Sequence, residues 1–169
     1  MGKKVTFMGS PVELYGDIPA VGQPAPEFVL TKNDLNDFSL NENKGKVIVL
    51  SVVPSLDTKV CAASARMFNK RAADLNNVLV LNISEDLPFA AERFCVTEGL
   101  KNVVALSDFR EHEFGKNYGL LIQNGPLRGL LARAVFVIDK QGKIVYQEVV
   151  SELTNEPDYE LALAAAKSA

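Results

Sequence analysis

The 169-residue chain has little of what several kinds of functional site require. Its two cysteines, Cys61 and Cys95, are too few for the disulfide framework of a small secreted domain, and their spacing matches no zinc motif. Because His112 is the single histidine, a metal centre would need mostly carboxylate ligands. No apolar run approaches the roughly 20 residues of a membrane span. We therefore expect no metal, no cofactor and no membrane insertion.

Charge and composition exclude further classes. A net charge of -3 provides no basic surface for nucleic acid. The first residues, 1–7, carry two lysines but no apolar segment behind them, so we expect no signal peptide and a cytoplasmic protein whose thiols stay reduced. The composition is that of a globular protein, and the length predicts one domain over residues 1–169.

Hydrophobic periodicity predicts alternating strands and helices. Strands are expected over 38–40, 47–53, 78–83, 103–106, 134–139 and 144–149, and helices over 61–75, 89–98, 111–118 and 157–167. A short hairpin over 5–15, turning at Gly9-Ser10-Pro11, precedes an extended segment over 22–28. This order predicts parallel strands with right-handed crossovers and an antiparallel edge. We expect an α/β, thioredoxin-like fold with an N-terminal hairpin extension over residues 1–16.

The segment that carries chemistry runs from Pro54 to Cys61 and reads PSLDTKVC. It leaves a buried strand and enters a helix, so Cys61 is expected in the first helical turn. Free backbone N–H groups and the positive end of the helix dipole favour a thiolate there, and the thiolate is the nucleophilic form. Pro54 would form part of the pocket wall, although it equally well ends the strand.

Two further side chains are candidates for contacting a substrate at Cys61. Thr58 lies one helical turn before the cysteine, where its hydroxyl can contact a substrate oxygen or cap the helix. Arg133 interrupts the apolar stretch LLARAVF, and a guanidinium is costly to bury without a partner. Beside Cys61 it would favour the thiolate and stabilise charge on a departing oxygen, whereas a surface ion pair is the alternative. His112, between two glutamates, is expected to be a solvated side chain.

These motifs resemble those of a known family. Residues 54–61 resemble the peroxiredoxin pattern Pro-x-x-x-Thr-x-x-Cys, and in the fuller form Pro-Ser-x-Asp-Thr-x-Val-Cys they are similar to the bacterial thiol peroxidase subgroup, the atypical 2-Cys peroxiredoxins. Residues 131–139 resemble the arginine strand of that subgroup, and the N-terminal hairpin and residues 22–28 also match. The resemblance implies that Cys61 is the peroxidatic cysteine and Cys95 the resolving one. It places Pro54, Thr58 and Arg133 in the pocket.

The resemblance also implies an activity and its partners. The implied activity is thioredoxin-dependent reduction of hydrogen peroxide and alkyl hydroperoxides through an intramolecular Cys61–Cys95 disulfide. The implied reductant is thioredoxin or a similar dithiol protein, and the implied assembly is a homodimer. The two cysteines are expected at opposite ends of neighbouring helices. Because a disulfide needs Cα atoms within about 7 Å, its formation would require local unwinding.

Three other functions stay open at this point. A thioredoxin-like disulfide oxidoreductase would normally carry Cys-x-x-Cys, but Ser64 occupies the second position. A redox sensor would use the same Cys61 thiolate to change a binding surface. A purely structural domain would hold Cys61 and Cys95 as small buried hydrophobic residues.

Overall fold

The computed structural model describes residues 4–169, so residues 1–3 of the predicted N-terminal extension lie outside the described part. A two-stranded hairpin and a seven-stranded mixed sheet account for all named strands. The strands are β1 (Lys4–Phe7), β2 (Ser10–Glu13), β3 (Val29–Lys32), β4 (Asp37–Ser39), β5 (Val47–Val52), β6 (Val78–Ser84), β7 (Val103–Ser107), β8 (Ala134–Ile138) and β9 (Ile144–Val149). The helices are α1 (Lys59–Ala72), α2 (Pro88–Glu98), α3 (Glu113–Asn117) and α4 (Tyr159–Ser168), with one 3-10 turn at Asn41–Asn43. None of the helices within residues 4–169 is long and apolar enough to cross a membrane.

The large sheet has the strand order β4-β3-β7-β6-β5-β8-β9. Strands β5, β6 and β7 are parallel and are connected through α1 and α2, whereas β8 runs antiparallel to β5. All six residues of β5 are buried, which explains why its sequence is an almost uninterrupted β-branched run rather than an alternating one. The parallel centre and the antiparallel β8–β9 hairpin confirm the expected α/β architecture.

Apolar side chains cover both faces of the sheet. On one face, Phe68 of α1 and Leu163 of α4 pack with Val49 and Val80. On the other face, an aromatic group that includes Phe114 and Tyr118 packs with residues such as Leu50, Leu81 and Phe136. The segment that joins the end of β5 to the start of α1 was predicted to carry the chemistry. It lies where the parallel strands have their carboxyl ends.

The N-terminal hairpin is present, but its predicted turn is wrong. Phe7 pairs with Ser10, so the loop consists of Met8 and Gly9 alone, and Ser10 and Pro11 already belong to β2. Both loop residues have positive φ, +50° and +82°, which matches the two-residue turns that follow the natural twist of a hairpin. A proline is tolerated in β2 because a two-stranded ribbon has free edges.

Strand β3 was not predicted from the sequence. It joins β7 through only two residue pairs, Thr31 with Ser107 and Lys32 with Leu106, and it carries β4 at the edge of the sheet. The sheet therefore has a second antiparallel edge. The helix ends also differ from the prediction: α1 ends at Ala72, and α4 begins after Asp158, whose carboxylate caps the helix by accepting from the Leu161 N–H.

Candidate active site

The turn from β5 into α1 places Cys61 at a helix start. Strand β5 ends at Val52, and the buried Pro54 follows two residues later. Thr58 is the N-cap of α1: its backbone is extended, and its Oγ1 accepts a hydrogen bond from the Cys61 N–H at 3.3 Å. Cys61 is thus the third residue of α1, in the first turn, where unpaired N–H groups and the helix dipole favour an anion.

Arg133 contacts the sulfur of Cys61. It directly precedes Ala134, which pairs with Val52 at the carboxyl end of β5, so the sheet register brings the two segments together. Its Nη1 donates to Cys61 Sγ at 3.0 Å and its Nε donates to the Leu153 carbonyl at 3.0 Å. The side chain is only 4% exposed. The guanidinium is therefore oriented by one backbone acceptor and directed at the thiol.

Cys61 is fully buried in this conformation, within a small apolar cluster that also contains Val53, Leu56, Ala91 and Ala105. An open groove of about 370 Å³ lies between the first turn of α1 and helix α2. Its lining includes the N-cap Thr58, three residues before the cysteine, and Ala62, which follows it, together with Asp57, Lys59, Asp86, Ala90, Arg93, Phe94, Thr97 and Glu98. A peroxide in the groove can reach the sulfur only if side chains of this turn or of the preceding loop shift.

Cys95 lies in the last turn of α2 and is partly buried. It packs against the same apolar cluster that contains Cys61, and both thiols are free. Burial raises the pKa of the Cys95 thiol, and the negative charge of Glu92 acts in the same direction. Gly99, in the left-handed conformation, closes the helix by donating to the Cys95 carbonyl. The two cysteines therefore occupy opposite helix ends, as expected, yet border one cluster.

Asp86 is a residue of this region that the sequence analysis missed. It follows β6, immediately precedes the Leu-Pro step that opens α2, and lines the groove. Its carboxylate binds Ser55 and the Leu56 backbone in the loop before Cys61. An aspartate between a buried strand and a helix start was the available signal, but its partners lie about 30 residues away in the chain.

An acidic pair next to this region was also missed. Glu85, whose side chain is 6% exposed, lies near Asp108, and its Oε2 is 2.8 Å from Nδ1 of His112. Burial, followed by the negative charge of Asp108, raises the pKa of Glu85 to about 9. Asp108 accepts from the Gly115 and Phe114 N–H groups, and burial raises its pKa as well. His112 is exposed, as expected, and it also has a carboxyl partner.

These acidic residues do not form a metal centre. Over the part of the chain that the structure describes, no group of three or more His, Cys, Asp or Glu side chains is arranged to hold a metal ion.

Comparisons with known proteins agree on one family. A family model described as Redoxin matches residues 20–163. A thiol peroxidase of Leptospira interrogans is 52% identical over 168 residues, covering 98% of both chains. A thiol peroxidase of Halalkalibacterium halodurans is 52% identical over 165 residues, again covering 98% of both. The crystal structure of a peroxiredoxin-like protein from Aquifex aeolicus aligns with a TM-score of 0.94 at 43% identity, covering 99% of this chain and 98% of that one.

Proposed function

Because the chain belongs to the Redoxin family, within the bacterial thiol peroxidase subgroup of the peroxiredoxin superfamily, we propose that Cys61 is its peroxidatic cysteine. The fold is thioredoxin-like with an N-terminal hairpin, and the thiol peroxidase relatives support a peroxidase activity. The observation that carries the proposal is the 3.0 Å contact between Arg133 Nη1 and Cys61 Sγ at a helix start.

In the first step the Cys61 thiolate attacks one oxygen of a hydroperoxide. An S–O bond forms, the O–O bond breaks, and the sulfur is oxidised to a sulfenic acid. The departing alkoxide or hydroxide takes up the equivalent of the proton that the thiol lost on ionisation, and it leaves as an alcohol or water. Arg133 would stabilise both the thiolate and the negative charge that develops on the departing oxygen. The Thr58 hydroxyl would align the peroxide, and the buried Pro54 would help to keep water from the pocket.

In the second step the Cys95 thiol attacks the sulfur of the Cys61 sulfenic acid, which forms the Cys61–Cys95 disulfide and releases water. Thioredoxin or a similar dithiol protein would then reduce this disulfide by exchange and become oxidised itself. The thiols start at opposite ends of two helices, so a helix end must unwind before they can bond.

The remaining features of the proposal concern substrates and assembly. The groove beside α1 has apolar side chains such as Phe94 as well as charged ones, which suits alkyl hydroperoxides in addition to hydrogen peroxide. We also propose one domain over residues 1–169 in a cytoplasmic protein, where dithiol reductants keep thiols reduced. A homodimer would cover exposed apolar side chains such as Phe89 and Val96, and sedimentation analysis tests this directly.

Mass spectrometry tests the chemical scheme. Reduced protein treated with one equivalent of hydrogen peroxide is expected to lose two hydrogens, with the new bond mapped between Cys61 and Cys95 of one chain. An unchanged mass or an interchain link would contradict the scheme. Coupling to NADPH, thioredoxin and its reductase then separates an enzyme from a sensor: continuous turnover, lost in the Cys61→Ser and Cys95→Ser variants, indicates a peroxidase, whereas a single stoichiometric oxidation indicates a sensor.

A further inference from the structure

Asp86 connects the two chain segments that carry the cysteines. It lies two residues before Pro88, the first residue of the helix that bears Cys95. Its carboxylate is bound by the loop before Cys61: Ser55 Oγ donates to Oδ1 at 2.8 Å, and the Leu56 N–H donates to Oδ2 at 2.7 Å. A third donor, Ser84 Oγ, binds Oδ2 at 2.8 Å. Hydrogen bonds to an ionised acceptor are roughly twice as strong as neutral ones, so this is a firm attachment.

The attachment continues from the loop to the cysteine. The Ser55 carbonyl accepts from the Thr58 N–H at 3.4 Å and from Thr58 Oγ1 at 3.2 Å. Thr58 Oγ1 in turn accepts from the Cys61 N–H at 3.3 Å. Asp86 is therefore linked to Cys61 by hydrogen bonds through Ser55 and Thr58, with the side chain and the carbonyl of Ser55 joined by its own covalent bonds. The loop belongs to no strand or helix, so these bonds, together with the burial of Pro54 and Leu56, fix the position of the Thr58 hydroxyl.

We infer that Asp86 is a positioning residue for the peroxidase reaction, holding the loop over residues 54–58 so that the Thr58 hydroxyl meets a peroxide at Cys61. The inference rests on the proposed function of Cys61. Electrostatic activation of the sulfur is not the role of Asp86, because a nearby negative charge disfavours a thiolate. Here three donors bind that carboxylate, and Arg133 supplies the favourable charge at the sulfur. What Asp86 contributes is geometry.

The test compares two reactions of the same thiol. Peroxide oxidation needs an aligned O–O bond, whereas alkylation by iodoacetamide needs only an accessible thiolate. In Asp86→Ala we expect the second-order rate of Cys61 oxidation to fall about 10- to 100-fold, since small misplacements of reacting groups cost this much, while alkylation does not slow. In Asp86→Asn the amide oxygen can still accept from Leu56, and the amide N–H can donate to Ser55, so most of the rate should return.

Two further variants complete the design. Asp139→Ala is the matched control, because Asp139 Oδ1 also accepts from two loop N–H groups, those of Gln141 and Lys143, both at 2.9 Å. Asp139 follows Ile138, which pairs with the start of β5, whereas the loop over residues 54–58 follows the end of that strand. Because the two sites lie at opposite ends of β5, Asp139→Ala should leave both rates unchanged. Ser55→Ala removes one of the three bonds to Asp86, together with the bond that Ser55 Oγ accepts from the Asp57 N–H. It carries the test if Asp86→Ala does not fold: peroxide oxidation should slow while alkylation is retained.

The outcomes separate this inference from the proposed function. If wild-type Cys61 reacts with peroxide but Asp86→Ala or a folded Ser55→Ala reacts equally fast, the positioning role is refuted. A parallel fall of oxidation and alkylation in these variants also refutes it, because the thiolate itself would then have been lost. If the wild-type protein shows no oxidation at Cys61, the proposed function fails instead.

Discussion

Replacing Arg133 tests the central contact of the proposed site. Arg133→Gln removes the charge beside Cys61 but keeps a polar side chain. Arg133→Lys keeps the charge, yet a single ammonium nitrogen cannot reproduce the fork that reaches Cys61 Sγ and the Leu153 carbonyl at 3.0 Å each. If the guanidinium acts through both charge and geometry, the two variants should differ from the wild type and from each other.

The size of the effect follows from the burial of both partners. Arg133 is 4% exposed and Cys61 is fully buried, so solvent screens their interaction weakly. A hydrogen bond to a charged group contributes about 1.5–3 kcal/mol, and removing one preorganised donor to a developing oxyanion costs about 10²- to 10³-fold in rate. We expect Arg133→Gln to lower the second-order rate of Cys61 oxidation by about 10²- to 10³-fold. Arg133→Lys should fall between this variant and the wild type.

Rapid mixing with peroxide, followed by acid quenching and intact-mass analysis, measures the rate. Thermal unfolding of each variant shows that the fold is retained. Arg71→Gln is the matched control, because Arg71 lies in the last turn of α1 and pairs with Glu160 at 2.7 Å, at the other end of the helix from Cys61. A folded Arg133→Gln protein that oxidises Cys61 at the wild-type rate would refute the proposed role of the guanidinium.

Three other substitutions test the surrounding groups. Thr58→Val should cost about 1 kcal/mol of unfolding free energy through the lost cap and should slow peroxide oxidation, and Thr58→Ser should restore both in melting and kinetic assays. Cys95→Ser should leave Cys61 as a sulfenic acid that excess peroxide converts to sulfinic acid, whereas a variant that gains no oxygen at Cys61 would contradict a resolving role. Glu85 keeps its proton to higher pH in the folded state than in the unfolded state. Its contribution to the free energy of unfolding is therefore complete below pH 4.5 and is lost as the pH rises toward about 9. The unfolding free energy of Glu85→Gln should therefore vary less with pH, with a slope smaller by up to about 1.4 kcal/mol per pH unit. Denaturant titrations at several pH values measure this slope, and equal slopes for the variant and the wild type would exclude the raised pKa.

The local part of the site could be predicted from the sequence. The strand-to-helix transition, the capping Thr58 and the first-turn position of Cys61 are set by residues within one short segment, where propensity and capping rules apply. Arg133 could be predicted as a site residue although it is distant from Cys61 in the chain, because an arginine within an apolar run needs a buried partner. The sheet register that pairs Ala134 with Val52 supplies that partner.

The rest of the site depends on contacts that no local pattern encodes. Asp86 meets Ser55 across 31 positions of the chain, and Glu85 meets His112 across 27, because neighbouring strands end at the same edge of the sheet. Strand β3 escaped prediction for a similar reason: its place is determined by pairing with β7 and β4 rather than by its own four residues. Burial of the Cys61 sulfur likewise reflects the packing of α2 and β7 residues around it.

Packing also determines which helix should open when the disulfide forms. The start of α1 is held by the Thr58 cap and by Arg133, and α1 buries five residues along its length. Helix α2 fully buries only Pro88 and Ala91, both toward its start. Its last turn is held by the Gly99 cap, by the partial burial of Cys95 and by the ion pair of Glu98 with Arg66 of α1 at 3.0 Å. Opening that turn disrupts no fully buried side chain, whereas opening the start of α1 disrupts Cys61 and its contact with Arg133. Opening the end of α2 also exposes the Cys95 thiol to water, which relieves the burial that raises its pKa. Oxidation should therefore increase the hydrogen-exchange rate, relative to the reduced protein, more in the last turn of α2 than in the first turn of α1, and the reverse order would refute this reading.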